Sequence, residues 1–106
     1  MEAHRSTSRN QQAAINSVRA AVMGRRVVRF FCQGDVIVCE PHLFGQARRT
    51  NAFWLKAYDR ELEMWRYFPF GELKNFECLN DVFRIRPEFA ESERKITVFD
   101  TMARLR

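Results

Sequence analysis

The side chains best suited to binding chemistry lie in two short runs, residues 53–59 and 64–68, which hold both tryptophans and both tyrosines of the chain. Side chains alternate along a β-strand, so the first run has two different faces. One face carries Phe53, Leu55 and Ala57, and the other carries Trp54, Lys56 and Tyr58. Aromatic rings stack on flat ligands and cations attract anions, so the second face is a candidate binding surface.

The two runs predict a β-hairpin. If residues 60–63 form a four-residue loop, the opposed pairs are Asp59 with Met64, Tyr58 with Trp65, and Lys56 with Tyr67. One face of the hairpin is then aliphatic and the other is aromatic and cationic. A shift of one residue would move every side chain of a strand to the opposite face, so this division depends on the loop length.

The sequence does not offer a set of residues suited to catalysis or to metal binding. The histidines are His4 and His42, and although Cys39 lies three residues before His42, strand alternation and the intervening proline separate the two side chains. The four glycines stand singly, so no glycine-rich phosphate loop is present. The carboxylate pairs lie in segments predicted to be exposed, where they are solvated ions. We therefore expect no enzyme, no metal site and no cofactor.

The charge balance points to acidic partners. The net charge is +5, and because three of the eighteen cations are lysines, fifteen are arginines. Arginine makes planar, bidentate contacts with phosphate and carboxylate groups. Arg48 and Arg49 lie in a polar stretch after Gly45 that predicts an exposed basic loop, and they are candidate nucleic-acid contacts. The other interpretation of the charges is an ordinary solvated surface.

The cysteine count and hydropathy indicate a cytoplasmic protein. Three cysteines without close pairing favour a reducing compartment, in which they serve as small hydrophobic residues. No apolar stretch is long enough to span a membrane, and residues 1–10 lack the apolar core of a signal peptide.

The elements that would position these side chains follow from periodicity and turn residues. A tail at residues 1–9 precedes a helix over 11–23, capped by Asn10 and ended by Gly24. Strands at 27–32 and 36–40 form a first hairpin around a turn at Gly34, with Arg29 facing Glu40, and Pro41 is predicted to end the central strand. A last strand lies at 75–79, followed by a segment that wraps the core through Phe83, Ile85 and Phe89. The large core residues are predicted to be Phe30, Phe53, Leu55, Phe68 and Leu79.

Five short alternating runs after one helix predict a mainly β fold, a small and strongly bent antiparallel barrel. Residues 10–90 form this domain. Residues 91–106 are predicted to be a tail or an edge element, either a strand at 96–99 or a short helix.

The order of these motifs resembles the WYL domain family over roughly residues 12–89. The family signature Trp-Tyr-Leu is matched by Phe53-Trp54-Leu55, and its flanking motifs are similar to Glu40-Pro41 and to the run from Trp65 to Phe68. The resemblance implies an SH3-like or Sm-like β-barrel preceded by a helix, used in bacterial transcription regulators and defence systems to sense a ligand or to bind nucleic acid, without catalysis. The family's helix-turn-helix has no counterpart in the roughly 25 residues before the barrel, so a stand-alone member is expected.

The resemblance also bears on the site. Glu72 stands where the family has an arginine, so one cationic contact is lost, while Arg66 matches another family arginine. A ligand site would then rest on the aromatic and cationic residues Trp54, Tyr58, Arg66, His42, Lys56 and Trp65.

Two hypotheses of function remain open. The first is a regulatory or sensor domain that binds nucleic acid or a small anionic ligand through the aromatic and cationic face, with Arg48, Arg49 and Arg66 on the nucleic acid. The second is a protein-interaction or homo-oligomerisation module that uses the same face.

Overall fold

The structure, a computed structural model, describes residues 11–90 and 93–104. One helix precedes six strands: α1 (Ile15–Met23), β1 (Arg26–Cys32), β2 (Asp35–Gln46), β3 (Phe53–Asp59), β4 (Met64–Pro69), β5 (Lys74–Val82) and β6 (Val98–Met102). All the strand pairs are antiparallel. The prediction of a mainly β fold with an N-terminal helix is confirmed. Within the described ranges, no helix has the length and apolar character needed to cross a membrane.

The helix starts later than its sequence pattern predicts. Gln12 forms a bridge with Lys74, and the Ala13 N–H donates to the Leu73 carbonyl at 3.0 Å, so these residues pair with the start of β5. Tertiary pairing thus overrides helix propensity before Ile15. The helix ends at Gly24, as predicted, and Val18, Ala21 and Val22 are buried. The predicted cap Asn10 and the tail at 1–9 lie outside the described residues.

The turn of the β1–β2 hairpin lies one residue earlier in the chain than the predicted pairing of Arg29 with Glu40 requires. Gln33 and Gly34 both have positive φ, 51° and 87°, and Cys32 pairs directly with Asp35. Two residues with positive φ make the compact loop that matches strand twist. Arg29 consequently pairs with Val38, and the predicted pairing with Glu40 is wrong; its guanidinium instead contacts the Glu77 carboxylate of β5 at 2.9 Å.

β2 continues through Pro41, contrary to the prediction that it would end there. One edge of β2 pairs with β1 as far as Cys39 and with β6 from Leu43 onward, so Pro41 lies in the gap between two partners. The opposite edge pairs with β3, with a register shift between Pro41 and Leu43. An irregularity of this kind accommodates a residue that lacks a backbone donor. A Cβ at Gly45 would overlap the backbone of Val98, so glycine lets β6 approach β2.

The β3–β4 hairpin has the predicted register. Asp59 pairs with Met64 and the remaining pairs follow in step. The Asp59 carboxylate accepts hydrogen bonds from the backbone N–H groups of Glu61 and Leu62 at 2.9 and 3.0 Å, which fixes the loop. The hairpin is therefore a firm base for the side chains of both its faces.

The sheet curls around one core. Its strand order is β4-β3-β2-β1-β5, with β6 joined to β2, yet the rings of Phe30 on β1 and Phe68 on β4 meet at 5.1 Å. Within the described residues the pairing path ends at β4 and β5, and closure into a barrel stays a prediction. Phe30, Leu55 and Phe68 are buried as predicted. The predicted core residues Phe53 and Leu79 are only partly buried and pack against the core.

The C-terminal segment returns to the sheet. Phe83 is buried and Ile85 and Phe89 are half-buried, which fits the predicted wrapping segment. Of the two alternatives for the C-terminal residues, a strand is observed and the short helix is not seen in the described residues 93–104. The strand is β6, which pairs with β2 and covers Val98–Met102 rather than the predicted 96–99.

Candidate functional site

The aromatic and cationic side chains of the hairpin share one face, as predicted. Trp54, Lys56 and Tyr58 of β3 lie opposite Pro69, Tyr67 and Trp65 of β4, respectively. Tyr58 and Trp65 make an edge contact with their ring centres 5.6 Å apart. Four rings and one ammonium group are therefore gathered on a single surface.

Arg66 does not belong to this surface. It pairs with Ala57, and alternation places its side chain on the opposite face, where its guanidinium lies 2.9 Å from the Asp59 carboxylate and 4.8 Å from the Phe68 ring centre. Burial acts to raise the pKa of Asp59, but hydrogen bonds from Leu62, Arg66 and Glu61 outweigh it and keep that pKa below its usual value. Arg66 is thus occupied as the partner of a buried carboxylate.

The aromatic and cationic face is covered by the segment that follows β5. Phe89 stacks on Trp65 at 6.0 Å, the Arg86 guanidinium lies 3.5 Å from the Tyr58 ring centre, and the Lys95 ammonium lies 4.0 Å from that of Trp54. Trp54, Tyr58 and Trp65 are half-buried as a result. The face is closed by the chain itself in this conformation.

Lys56 is held at the centre of the covered face. Its ammonium donates to Glu93 at 2.8 Å, and the Tyr67 hydroxyl lies 2.7 Å from both oxygens of the same carboxylate. The side chains of Lys56 and Glu93 are only 11% and 8% exposed. Burial acts to raise the pKa of Glu93, but hydrogen bonds from Ile96, Lys56 and Tyr67 keep it below its usual value. Burial and the adjacent Glu93 raise the pKa of Tyr67, so the hydroxyl remains a donor.

His42 is a buried structural group. Its ring contacts Trp65, Phe83 and Phe89 at 4.7, 4.6 and 5.0 Å. Nδ1 bonds to the Glu40 carbonyl oxygen at 2.8 Å and Nε2 accepts from the Arg86 N–H at 3.2 Å, an arrangement that fits the neutral tautomer with its proton on Nδ1. Burial lowers the pKa of His42 to about 4. No surface of this ring is left for a ligand in this conformation.

Glu40 organises two arginines beside this face. Its buried carboxylate accepts from Arg86 at 2.8 Å and from Arg60 at 2.9 Å. Burial acts to raise the pKa of Glu40, but the hydrogen bonds from the two arginines outweigh it and lower that pKa. The pair borders an open groove of about 410 Å³ that runs along residues 82–87.

A second charged surface lies at the turn between β2 and β3. Arg48 and Arg49 are exposed there, and the Arg48 N–H donates to the Thr97 hydroxyl at 2.8 Å, which fixes the turn beside the segment containing Arg94 and Lys95. These four exposed residues, Arg48, Arg49, Arg94 and Lys95, are named the basic edge. Arg48, Arg49 and Arg94 have no ion-pair partner among residues 11–90 and 93–104. Sequence reasoning missed Arg94 and Lys95, although their adjacency was a signal.

Groups for metal or thiol chemistry do not converge in the described residues. No group of three or more His, Cys, Asp or Glu side chains among them could hold a metal ion. Cys39 is buried, and burial raises the pKa of its thiol well above the usual value. Glu72, at the position where an arginine is expected from the resemblance, accepts from Gln33 at 3.0 Å and is therefore bonded to the β1–β2 turn.

Comparison with known proteins shows a likeness to a solved structure. No family model and no curated protein matches the chain. Among solved structures, the proteasome accessory factor B/C (PafBC) of Arthrobacter aurescens matches with a TM-score of 0.63 and 24% sequence identity. The fold of this chain is similar to that of the matched part of PafBC. The likeness shows the fold alone, and it covers 72% of this chain and 13% of the PafBC chain.

Proposed function

We propose that this chain is a non-enzymatic regulatory module that binds an anionic ligand, in the first place single-stranded nucleic acid, through the basic edge and the adjoining Trp54. The observation that carries the proposal is a contrast between two sets of cations. One set is ion-paired with carboxylates, whereas the arginines of the basic edge have no ion-pair partner in the described residues. The WYL-related fold supports a regulatory or ligand-sensing role.

Six cations in the described part of the chain already have a carboxylate partner. These pairs are Arg19 with Asp100, Arg29 with Glu77, Lys56 with Glu93, Arg60 and Arg86 with Glu40, and Arg66 with Asp59. An arginine bound to a carboxylate offers little charge to a phosphate, because its field is already compensated. The support for a phosphate contact therefore shifts from Arg66 to Arg48 and Arg49.

The basic edge has the features of a phosphate-binding surface. Its arginines are exposed and have no ion-pair partner within the described ranges, and guanidinium groups bind phosphate in a bidentate manner. Trp54 lies directly beside Lys95, so a base could stack where the ammonium now sits over the ring. Stacking of one base contributes about 1–3 kcal/mol, which would supplement the charge contacts.

The experiment is a salt series of binding curves, measured by fluorescence anisotropy with a labelled single-stranded oligonucleotide. The logarithm of affinity should fall by about 0.7 per phosphate contact for each log unit of salt. The double variant Arg48→Ala, Arg49→Ala should reduce that slope by about 1.4 if each arginine makes one contact. Trp54→Ala should weaken binding and leave the slope nearly unchanged.

A matched control removes two arginines that have partners. The variant Arg19→Ala, Arg29→Ala loses the same formal charge but takes it from ion pairs with Asp100 and Glu77, so its slope should stay close to that of the parent chain. Absence of binding at low salt, or equal slopes for both double variants, would exclude the proposed nucleic-acid surface.

A second candidate function is supported by the exposed apolar residues of β6. Val98 and Phe99 are 41% and 52% exposed. Such residues are common in protein contacts. A protein-interaction or oligomerisation role would then use the β6 side rather than the covered aromatic face. Sedimentation at several concentrations tests it: mass that rises with concentration and falls in Phe99→Ser favours this function, and a constant monomer mass excludes self-association.

A further inference from the structure

The covered face contains a complete carboxylate-binding arrangement. Lys56 and Tyr67 are directly opposed across β3 and β4, so the hairpin pairing places their side chains next to each other on one face. Both donate to one carboxylate at 2.7–2.8 Å. The ring centres of Trp65 and Phe89 lie 5.2 and 5.6 Å from the ammonium. The donors thus lie against the rings of Trp65 and Phe89, which are the aromatic walls of this arrangement.

The carboxylate that fills this arrangement comes from a separate part of the chain. Glu93 follows the last strand of the main path, and its Oε2 also accepts from the backbone N–H groups of Lys95 and Ile96 at 2.8 and 2.9 Å. Those two bonds are local to the Glu93 segment and would accompany it if the segment moved. The sheet contributes Lys56 and Tyr67, whose backbone positions are set by the pairing of β3 with β4.

The energetics require an anion here, but not this particular one. A buried ammonium is costly without a partner, whereas exchange of one carboxylate for another keeps Lys56 paired throughout. The released Glu93 would be ionised and solvated at neutral pH. A ligand that carries a carboxylate on a flat apolar ring would also pack against the aromatic walls. The Glu93 side chain has no such ring.

We propose that Lys56 and Tyr67 form a binding site for an aromatic carboxylate, and that Glu93 occupies this site as an internal competitor. The site is separate from the basic edge, and the proposal does not rest on nucleic-acid binding. Glu93 acts as a built-in ligand whose departure would open the covered face.

The test is thermal unfolding of Glu93→Ala with benzoate as the probe, at constant ionic strength set by chloride. The variant should unfold at a lower temperature than the parent chain, and benzoate should raise its midpoint in a saturable manner. Its Kd for benzoate should be at least about tenfold lower than that of the parent chain, as expected if Glu93 fills the site more than nine-tenths of the time.

Two further variants keep the result interpretable. Glu93→Ala with Lys56→Met removes the ammonium as well, and its midpoint should not respond to benzoate. Asp100→Ala removes another ion-paired carboxylate of the C-terminal segment and should bind benzoate no better than the parent chain.

Either of two results would overturn the proposal: a benzoate affinity of Glu93→Ala no higher than that of the parent chain, or an equal response in the variant that also lacks Lys56. If Glu93→Ala is unfolded in plain buffer, recovery of the native circular dichroism spectrum with benzoate supports the site, and failure to recover counts against it.

Discussion

At the scale of single residues, Lys56 and Glu93 show how burial makes the stability of the fold depend on keeping both partners of an ion pair. Both side chains are about nine-tenths buried, so removal of one partner leaves a charge without compensation. Glu93→Gln should therefore lower the free energy of unfolding by about 3 kcal/mol. The double variant with Lys56→Met should recover part of that loss. Urea denaturation measures both, and a double variant less stable than Glu93→Gln would contradict this account.

His42 makes stability depend on pH in a defined window. Burial lowers its pKa in the folded state to about 4, below the 6.5 of the free side chain. Between these two pKa values, His42 therefore binds a proton in the unfolded chain but not in the folded chain. Stability is fully present above about pH 6.5 and should fall as the pH drops toward 4, by up to about 1.36 kcal/mol per pH unit.

Denaturation curves between about pH 5 and 6.5 isolate this contribution, because carboxylates with lowered pKa values remain ionised there. His42→Phe should flatten the dependence, and His4→Ala, which removes the other histidine, should retain it. A parent chain with constant stability across this range would show that His42 is protonated when folded.

Residue roles were partly predictable from the sequence. Alternation correctly grouped Trp54, Lys56 and Tyr58, since it depends only on local geometry. The same rule, applied from the opposing strand, places Arg66 with Ala57 on the other face, a step the sequence interpretation did not take. The burial of Lys56 depends on Glu93, which is distant in sequence and has no local pattern that links the two.

At the scale of elements, the β3 strand contributes one fully buried side chain of the predicted core, Leu55. Leu55→Ala should cost about 2–5 kcal/mol, because it leaves a cavity under the hairpin. Val98→Ala on β6 is the control, since its side chain is partly solvated and its loss should have a much smaller effect. Chemical denaturation midpoints compare the two, and equal losses would mean that Leu55 is not a core residue.

The turn of the first hairpin allows a similar comparison of two glycines. Gly34 has φ of 87°, a conformation that a side chain disfavours, whereas Gly71 has open space around its Cα and no positive φ. Gly34→Ala should destabilise the protein by about 1–2 kcal/mol and Gly71→Ala should be neutral or slightly stabilising. If the two variants had the same melting temperature, the strained conformation at Gly34 would be in doubt.

The boundaries of elements were less predictable than their existence. The β3–β4 register followed from a loop of four residues, but the helix lost its first turn to pairing with β5, and β2 passed through Pro41. Both departures arise from tertiary contacts. Propensity describes a segment alone, and here a neighbouring strand satisfied backbone groups in a different way.

At the scale of the whole molecule, six of the described cations are paired with carboxylates, whereas the arginines of the basic edge have no ion-pair partner in the described chain. Arg48→Ala with Arg49→Ala should change the unfolding free energy by no more than about 0.5 kcal/mol, because both side chains are exposed and without ion-pair partners in the described chain. Calorimetry or urea denaturation checks this expectation. A large loss of stability would mean that these arginines support the fold.

The fold class was predictable from five alternating runs and one amphipathic helix, whereas the state of the candidate site was not. Whether the aromatic face opens to solvent depends on where residues 83–90 and 93–97 lie, and their positions are determined by contacts such as those of Phe89 with Trp65 and Glu93 with Lys56. Such long-range contacts leave no periodic signal in the sequence.

The three lysines of the chain differ in how easily an amine-reactive reagent can reach them. Lys95 is exposed and Lys74 is half-buried, whereas the Lys56 amine is buried and hydrogen-bonded to Glu93. Acylation requires a free, accessible amine, so Lys56 should be modified last. Its modification rate, followed by peptide mass spectrometry, would then report how often the covering segment moves away from Lys56 in the unaltered protein. The modification rates of the other two lysines serve as internal references.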